Sequence, residues 1–494
     1  MKKIILSAIL FLTCLGQTQA QQVQGIIFRD TLGITVVKLW GTHQQRGYAL
    51  GHLTGLKITQ MIQNYIKPQF GTFYSAARNI VIQGNDITIP QEYKNEAQGI
   101  IEGMDAAGSN TANLDQTDIL IGNSLLDLGN LLSLDLRPGC STLMSWGGAT
   151  AGTDLDGKSV VSRHLDWNYS SILVNNNMIV IHFPSEPGET KWLLAGYAGM
   201  ISALSGLNQD FSAFQQVMAD FAGAGLHSKN YLPVWLAMRK ALEANDYNGD
   251  GVRDVQDLRS VLQDCPNGFA DGFIVTSLAR TASADSLVAM VAELTPATPT
   301  HTYRYNDYPD NIPGENLYAS NYQIKRNNAH NYDSRYYSMV NNIGDGTLIS
   351  LDSNWNLMRD HSHQSLNMQF MQFAPETGFF RMSVWRDGHP AYMNEPLIFD
   401  LNDLFADPTV SVIETSHETK FQICPNPVIG LMKVSGLPPG SYLMEITDPA
   451  GRTLLTNSVK VPMTCIDLSS LRPGIYMGRL TGKNQVFVSR FMKK

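Results

Sequence analysis

A change in residue types and in their spacing near residue 409 most constrains how this chain of 494 residues can fold. Residues 409–420 are polar and β-branched without a helical period, which is typical of a linker. After them, short alternating segments are separated by turn residues such as Pro438-Pro439-Gly440 and Arg472-Pro473-Gly474. Short strands at this spacing predict a small antiparallel β-sandwich over 421–494. The chain is therefore divided into a long body, a linker and a small all-β domain.

Composition excludes several classes of protein. Hydrophobic residues make up 43 % of the chain, which is enough for packed cores and argues against disorder. The 36 Lys and Arg residues against 44 Asp and Glu residues give a net charge of −8. This balance argues against nucleic acid or an anionic membrane as the main partner. No apolar run near 20 residues follows the N-terminus, so we expect no transmembrane segment.

The first twenty residues have the pattern of a signal peptide. Lys2 and Lys3 precede an apolar stretch over 4–15, and Thr18-Gln19-Ala20 places small residues before a cleavage point. The apolar stretch is too short to span a bilayer. We therefore predict a signal peptide over 1–20, removed after Ala20.

The last seventy residues carry a set of matching motifs. These are Cys-Pro-Asn-Pro at 424–427, the segments 442–452 and 471–480, and a basic terminus at 491–494. As a set they resemble the type A sorting domain of type IX secretion substrates. The resemblance implies Sec export, recognition by the type IX secretion machinery, passage across an outer membrane, and a secreted or cell-surface protein. A generic carbohydrate-binding β-sandwich is the alternative.

The body over 21–408 mixes helix and strand signals. Helical spacing predicts helices over 45–66, 91–107 and 119–132. β-branched runs predict strands at 159–162, 177–182 and 272–276, and the apolar stretch 286–294 fits either a strand or a helix. This order predicts an α+β body with layers of helix and sheet.

Gly139-Cys140-Ser141-Thr142 is a candidate nucleophile site. A thiolate at Cys140 can attack the unshielded carbonyl of Gly139, and hydrolysis of the resulting thioester leaves Cys140 with a free α-amine. Such an amine has a pKa of about 7.7–8.0, so it can act as the base for its own thiol. For a lone cysteine the alternative is a buried structural residue.

Arg163 and Asp166 follow in the segment Ser162-Arg163-His164-Leu165-Asp166. With Cys140-Ser141 they resemble the branch of N-terminal nucleophile hydrolases that includes penicillin acyltransferase, acid ceramidase and the choloylglycine hydrolases. The resemblance implies a four-layer αββα sandwich, made from an N-terminal chain over 21–139 and a catalytic chain over 140–408. It also implies that Arg163 polarises the site and that Asp166 holds the α-amine.

Two further segments carry the same resemblance. Asn321, in Ala319-Ser320-Asn321-Tyr322, resembles an asparagine that donates toward the oxyanion, and Arg335 resembles a downstream arginine that orients the substrate. No match to a second oxyanion donor is found over 215–219. The whole set predicts an autoproteolytic cysteine hydrolase or acyltransferase that cleaves linear amides, without a cofactor for catalysis.

The substrate class stays open between a small acyl amide and a peptide. The alternative function is a surface-displayed binding protein that keeps the fold without the chemistry. In that case the chain remains uncut and Cys140 is unreactive.

Residues 246–257 predict a calcium loop between two apolar helical segments. Oxygen ligands stand at the spacing of an EF-hand-like loop, with Gly251 at the turn. The candidate ligands are Asp246, Asn248, Asp250, the Val252 carbonyl, Asp254 and Asp257. A single loop of this kind predicts a structural Ca²⁺ ion; an acidic turn without metal is the alternative.

Overall fold

The computed structural model describes residues 21–134, 136, 139–219, 230–281, 287–308, 312–326, 333–408, 422–424, 426–435, 440–448, 453–461, 465–481 and 486–494. The predicted signal peptide over 1–20 and the predicted linker over 409–420 lie outside these residues. The chain divides into two compact units, 1–408 and 409–494.

Among the described residues, the helices lie in the first unit. They are α1 His43–Met61, α2 Lys67–Phe70, α3 Tyr74–Gln83, α4 Gln91–Ala106, α5 Gln116–Gly122, α6 Leu125–Leu131, α7 Ser171–Asn175, α8 Val234–Glu243, α9 Val255–Gln263, α10 Ser334–Asn342, α11 Leu351–His361 and α12 Leu401–Leu404. A π-helical turn, Ile62–Ile66, follows α1 directly.

The strands of the first unit are β1 Gly25–Thr31, β2 Ile34–Gly41, β3 Gly139–Ser145, β4 Val160–Asp166, β5 Asn177–Pro184, β6 Trp192–Tyr197, β7 Ser205–Leu207, β8 Phe211–Val217, β9 Phe273–Ala279, β10 Ala289–Leu294, β11 His301–Arg304, β12 Asn316–Ala319, β13 Asn367–Ala374, β14 Phe379–Val384 and β15 Leu397–Asp400. Within the described residues they form a nine-stranded sheet, β1-β2-β5-β6-β7-β8-β9-β10-β11, and a six-stranded sheet, β12-β3-β4-β13-β14-β15.

The two sheets pack against each other through one apolar cluster. Val36 and Ile179 of the larger sheet share it with Met144 and Met371 of the smaller sheet. Because side chains alternate along a strand, neighbouring residues such as Val37 and Val180 face the opposite side. There they pack with residues of α1, α4 and α8 in a second cluster.

The outer face of the smaller sheet is covered by α10 and α11. Leu143 and Phe370 of that sheet pack against Met339 and Met358 of these helices. Layers of helix and layers of sheet are thus packed against one another in the first unit. Its content of helices and of several sheets confirms the α+β class.

Glycines explain the close contact between α1 and α4. A Cβ atom at Gly47 would lie 2.0 Å from the Glu96 carbonyl oxygen, and one at Gly103 would lie 2.0 Å from the Tyr48 carbonyl oxygen. A residue larger than glycine at either position would collide with the other helix, so the glycines allow the two backbones to lie close together. This contact brings the polar residues of both helices together.

The predicted elements differ from the observed ones at their ends. The helix expected over 45–66 is α1 plus the π-helical turn, and the helix expected over 119–132 is divided at Asn123. The Asn123 side chain bonds the backbone of residues 199, 201 and 202, which a continuous helix pattern does not reveal. The ambiguous stretch 286–294 contains the strand Ala289–Leu294.

The second unit is all β. Its strands are β16 Gln422–Cys424, β17 Leu431–Ser435, β18 Gly440–Thr447, β19 Thr453–Val461, β20 Cys465–Asp467, β21 Gly474–Thr481 and β22 Val486–Lys493. In the part described, they form a three-stranded and a four-stranded sheet, antiparallel throughout. Met432, Met444 and Leu480 lie in its apolar core.

The backbone register separates the two cysteines of this unit. Cys424 and Cys465 both pair with Lys433, from opposite sides of β17. Two strand spacings amount to about 9 to 10 Å, whereas disulfides need Cα atoms closer than about 7 Å. Cys465 is exposed with a free thiol. This register therefore places the backbones of Cys424 and Cys465 too far apart for a disulfide.

Among the helices of the described residues, none combines the length and apolar content that a bilayer span requires.

Candidate active site

Cys140 lies at the start of β3, beside the end of β4. The antiparallel register pairs Gly139 with Asp166, Cys140 with Leu165 and Thr142 with Arg163. Residues two apart share a face of a strand, so Arg163 lies diagonally across from Cys140 on the same face. Asp166 instead stands at the last position of β4, opposite Gly139. Arg163 and Asp166 are three residues apart, so Arg163 lies on the strand face beside Cys140 and Asp166 lies at the strand end beside Gly139.

The thiol of Cys140 is buried and contacts one guanidinium. Arg163 Nη2 lies 3.6 Å from Cys140 Sγ and donates a 2.9 Å hydrogen bond to the Gln215 carbonyl. Arg163 is itself fully buried, and its Nε and Nη1 have no hydrogen-bond partner among the described residues. Burial raises the pKa of Cys140 to about 11, against the opposing charge of Arg163. In the uncut chain the thiol is therefore protonated at neutral pH.

The backbone of Cys140 is held by two side chains. Its N–H donates to Asn321 Oδ1 at 2.9 Å, and its carbonyl accepts from Arg335 Nη1 at 3.0 Å. Arg335 Nη2 also donates to Asn321 Oδ1, at 2.9 Å. The predicted residues Asn321 and Arg335 thus meet at the bond that was expected to be cut.

Asn321 has a different set of partners from the one expected. Its Nδ2 donates to the Val217 carbonyl at 2.7 Å, while its Oδ1 accepts from Cys140 N. Two donors at Oδ1 and an acceptor at Nδ2 determine the orientation of the amide. In the uncut chain Asn321 therefore accepts from the nitrogen of Cys140, and its Nδ2 is engaged away from the thiol.

Asp166 is held by Asn367 and Arg335. Asn367 Nδ2 donates to Asp166 Oδ1 at 2.9 Å, and Arg335 Nη1 lies 3.6 Å from Oδ2, which has no hydrogen-bond partner among the described residues. Burial raises the pKa of Asp166 to about 7, although Arg335 opposes this shift. Asp166 therefore lies beside the Gly139–Cys140 bond, with one oxygen that accepts no hydrogen bond among the described residues, and its pKa lies near neutral pH.

Arg335 is positioned by the first turn of α10. Asp333 caps this helix by accepting from the Tyr336 N–H, and its carboxylate pairs with the Arg335 guanidinium at 2.6 Å. The guanidinium is thus shared between Asp333, Asp166 and the Cys140 carbonyl. The structure brings all five predicted catalytic residues into one contiguous cluster.

A small apolar pocket of about 30 Å³ lies in the same buried cluster as Cys140. Its walls include Ile62, Tyr65 and Leu125 from the segment before Cys140, and Tyr197 and Trp235 from the segment after it. Burial raises the pKa of the Tyr197 hydroxyl, and the charge of Arg163 partly opposes this shift. π-helical turns such as Ile62–Ile66 are frequent at functional sites.

Sequence reasoning found no role for residues 215–219, yet they frame the site. The carbonyls of Gln215 and Val217 accept from Arg163 and Asn321, and the Ala219 N–H donates to the Asn321 carbonyl. Backbone groups leave no mark in a sequence, so no motif could have found them. The Gln215 side chain accepts from Trp235 Nε1, and its Nε2 has no partner among the described residues.

The candidate calcium loop joins α8 to α9. Asp246 accepts from the N–H groups of Gly249 and Gly251, both at positive φ, and Asp254 caps α9. One oxygen of Asp254 is buried without a partner among the described residues, as a cation ligand would be. No three carboxylates of the loop lie within 4.8 Å of one another within the described residues, so a bound ion would have to draw them together.

A second buried polar cluster lies between α1, α4 and α8. His43 contacts Glu96 at 2.7 Å and Glu189 at 2.8 Å, and Arg239 contacts Glu96 at 2.6 Å and Glu243 at 2.8 Å. His43, Glu189 and Glu243 have the spacing of metal ligands, but basic side chains pair with these carboxylates. The arrangement is an ion-pair network, which no sequence motif predicted.

Comparison with known proteins identifies the second unit. Residues 422–494 match the family model of the secretion system C-terminal sorting domain. The C-terminal unit is a type IX sorting domain. The protein is therefore exported by type IX secretion, interacts with that machinery, and is secreted or displayed at the cell surface.

One curated relative is similar to a part of the chain. Protein dcd1B of Dictyostelium discoideum is 24 % identical over 230 residues. The match covers 43 % of this chain and 43 % of the relative, so the chain spans less than half the length of that protein.

Proposed function

We propose that the protein is an exported N-terminal nucleophile hydrolase, which cuts its own Gly139–Cys140 bond and then cleaves linear amides through Cys140. The observation that carries the proposal is the set of contacts around that bond. Asn321 binds the Cys140 nitrogen, Arg335 binds its carbonyl and Arg163 contacts its sulfur. A structural cysteine needs none of these charged neighbours.

The arrangement of layers supports the same proposal. Helices on the larger sheet, the two packed sheets, and helices on the smaller sheet follow the order expected for a four-layer αββα sandwich. Cys140 starts a strand of the smaller sheet and faces the larger one. A new N-terminus at this position would lie where the two sheets and Asn321 meet.

Self-cleavage would proceed as an N-to-S acyl shift. The Cys140 sulfur attacks the Gly139 carbonyl carbon, the C–N bond breaks, and the Cys140 nitrogen takes the proton and becomes the α-amine. Water then hydrolyses the thioester, which releases the Gly139 carboxylate and restores the thiol. Because the α-amine has a pKa of about 7.7–8.0, it can accept the thiol proton that the uncut, buried chain retains.

The amidase reaction repeats these steps on a substrate. The sulfur attacks the amide carbonyl, the α-amine passes the thiol proton to the leaving amine, and water resolves the acyl-enzyme. Arg163 stabilises the thiolate, and Asp166 with Asn321 would hold the α-amine. The apolar lining of the pocket with Tyr197 supports an apolar acyl half, for which the space of about 30 Å³ would have to widen.

The proposal is tested by comparing wild type with Cys140→Ala and Cys265→Ala on a denaturing gel. Cys265 is also a buried free cysteine, so its variant is the matched control. We expect two bands from wild type and Cys265→Ala, and one band from Cys140→Ala. N-terminal sequencing of the larger fragment should begin at Cys140, and hydrolysis of N-acyl amides should be lost with the Cys140 thiol.

A single uncut chain from mature, secreted wild type would contradict the proposal. It would leave the alternative, a surface-displayed binding protein with an inert thiol.

We also propose that residues 246–257 bind a structural Ca²⁺ ion. The partnerless oxygen of Asp254 and the two glycines at positive φ support it. Titration calorimetry of Ca²⁺ into metal-stripped wild type should show one site, which Asp246→Ala abolishes and Asp156→Ala retains. Equal heats from wild type and Asp246→Ala would contradict this proposal.

A further inference from the structure

We propose that the amine half of the substrate is a peptide, which binds a polar groove running from Cys140 to the outer end of α11. The inference rests on the proposed amidase function and names the class of amide that it cleaves: an N-acylated peptide.

The groove begins at the bond that is expected to be cut. A polar hollow of about 380 Å³ is lined by Asn321 and Arg335, which hold the Cys140 backbone, and by His363 and Gln364. A Cβ atom at Gly139 would lie 2.9 Å from Gln364 Oε1, so Gly139 stands at this hollow. Groups attached near the scissile bond therefore reach the hollow directly.

His363 lines both this hollow and a wider groove of about 660 Å³, so the two adjoin at its side chain. Its Nδ1 donates to the Arg359 carbonyl at 2.5 Å, which leaves Nε2 for a ligand. Its ring stacks on Tyr392, with 4.0 Å between the centroids. Tyr392 is tied to the active site, since its N–H donates to Asn367, the residue that bonds Asp166.

The walls of the wider groove carry charges of both signs. Arg381 pairs with Asp352 at 3.2 Å, Arg359 pairs with Asp360 at 2.7 Å, and Glu395 is exposed at the rim. Asn356 adds an amide between these pairs. Such walls suit the carbonyl, N–H and charged groups of a peptide.

The aromatic residues of the groove argue against a sugar as the amine half. Sugars bind to open aromatic faces, but the guanidinium of Arg381 lies 4.3 Å from the centroid of the Trp355 ring. Phe370 stacks on Trp355 at 3.5 Å, and His363 stacks on Tyr392. The hydrogen-bonding groups are accessible while these ring faces are occupied.

Two regions of different polarity are thus linked to Cys140. The apolar pocket with Tyr197 belongs to the same buried cluster as Cys140, and the polar hollow is lined by Asn321 and Arg335, which hold the Cys140 backbone. We expect these surroundings to favour a substrate with an apolar acyl group on a polar chain.

The test compares three amides that share one acyl group: N-decanoyl-glycine, an N-decanoyl tetrapeptide and N-decanoyl-glucosamine. Release of the free amine is measured with cleaved wild type. We expect kcat/KM for the tetrapeptide to exceed that for the glycine compound at least tenfold, through a lower KM. Asn356→Trp, which fills the groove, should lower kcat/KM for the tetrapeptide and so remove its advantage over the glycine compound. The matched control is Asn341→Trp on the exposed part of α10, which should behave as wild type.

Equal kcat/KM for glycine and tetrapeptide, or a preference for the glucosamine compound, would overturn the inference while leaving the amidase proposal intact. An equal effect of Asn356→Trp on all three compounds would also overturn it. If none of the three is cleaved in a Cys140-dependent way, the amidase proposal fails and this inference with it.

Discussion

Two buried polar clusters in the first unit handle charge in opposite ways. Around His43, Arg46 and Arg239, acidic and basic groups lie within about 3 Å of one another, and Arg239 and His43 hold the pKa of Glu96 well below its usual range despite burial. Around Cys140, burial prevails: it raises the pKa of Cys140 to about 11 and that of Asp166 to about 7.

The difference distinguishes structure from chemistry. Close partners keep Glu96 and His43 ionised near neutral pH, although burial raises the pKa of Glu243 in the same cluster. Their ion pairs join the segment before Cys140 to Glu189 and Arg239. Groups whose compensation is incomplete change protonation near neutral pH, and such groups are typical of catalytic sites. We therefore expect substitutions in the first cluster to change stability and substitutions in the second to change reactivity.

The largest effect is expected from Arg239→Met. This change leaves the buried carboxylates of Glu96 and Glu243 without their guanidinium, and breaking a buried pair in this way costs about 3–5 kcal/mol. Urea unfolding should show this loss, whereas Arg78→Met, which breaks a half-exposed pair with Asp115 and Asp118, should cost about 1 kcal/mol or less. Similar losses from the two variants would contradict the comparison.

We expect Asp166→Asn to change the free energy of unfolding little and to lower kcat strongly. The amide cannot balance the charge of an α-ammonium group, so kcat should fall by roughly 100-fold, as for other single electrostatic contacts in active sites. Stability should be unchanged or slightly higher, because a buried carboxylate that is incompletely compensated is removed. The variant is measured by urea unfolding and by amide hydrolysis of the cleaved enzyme; lost stability with an unchanged kcat would contradict the assignment.

The two clusters should change the stability of the protein in different pH ranges. Burial opposes protonation of His43, but hydrogen bonds to Glu189 and Glu96 raise its pKa from 6.5 to about 9. Protonated His43 therefore contributes fully to the free energy of unfolding below pH 6.5, and this contribution is lost as the pH rises toward 9. Burial raises the pKa of Asp166 from 3.8 to about 7, so the stability linked to its proton is lost as the pH rises from 3.8 to about 7.

Unfolding free energies of wild type, His43→Gln and Asp166→Asn across pH 4 to 9 check this prediction. His43→Gln should flatten the upper window and Asp166→Asn the lower one. One proton per group corresponds to a slope of at most about 1.4 kcal/mol per pH unit. The same change of slope in both variants would show that the clusters are coupled.

Several site residues were accessible from sequence because the chemistry depends on side chains close together in the chain. Cys140, Arg163 and Asp166 lie within one hairpin, so their register follows from strand pairing. Asn321 and Arg335 could be placed only by resemblance, since 181 residues separate Asn321 from Cys140. Asn367, Tyr197 and Trp235 carried no signal, because each looks like an ordinary strand or helix residue until the sheets are packed.

The sequence by itself determined the division into a body and an all-β sorting domain, the α+β class and the identity of the residue at the head of β3. These follow from local patterns of polarity, turns and side-chain type. Only the tertiary structure decided that Asn321 accepts from the Cys140 nitrogen, that one oxygen of Asp166 has no hydrogen-bond partner among the described residues, and that Asn321 and Arg335 of the polar hollow hold the Cys140 backbone. Such features depend on burial and on contacts between distant segments, and the free energy of a buried charge is set by what surrounds it in space.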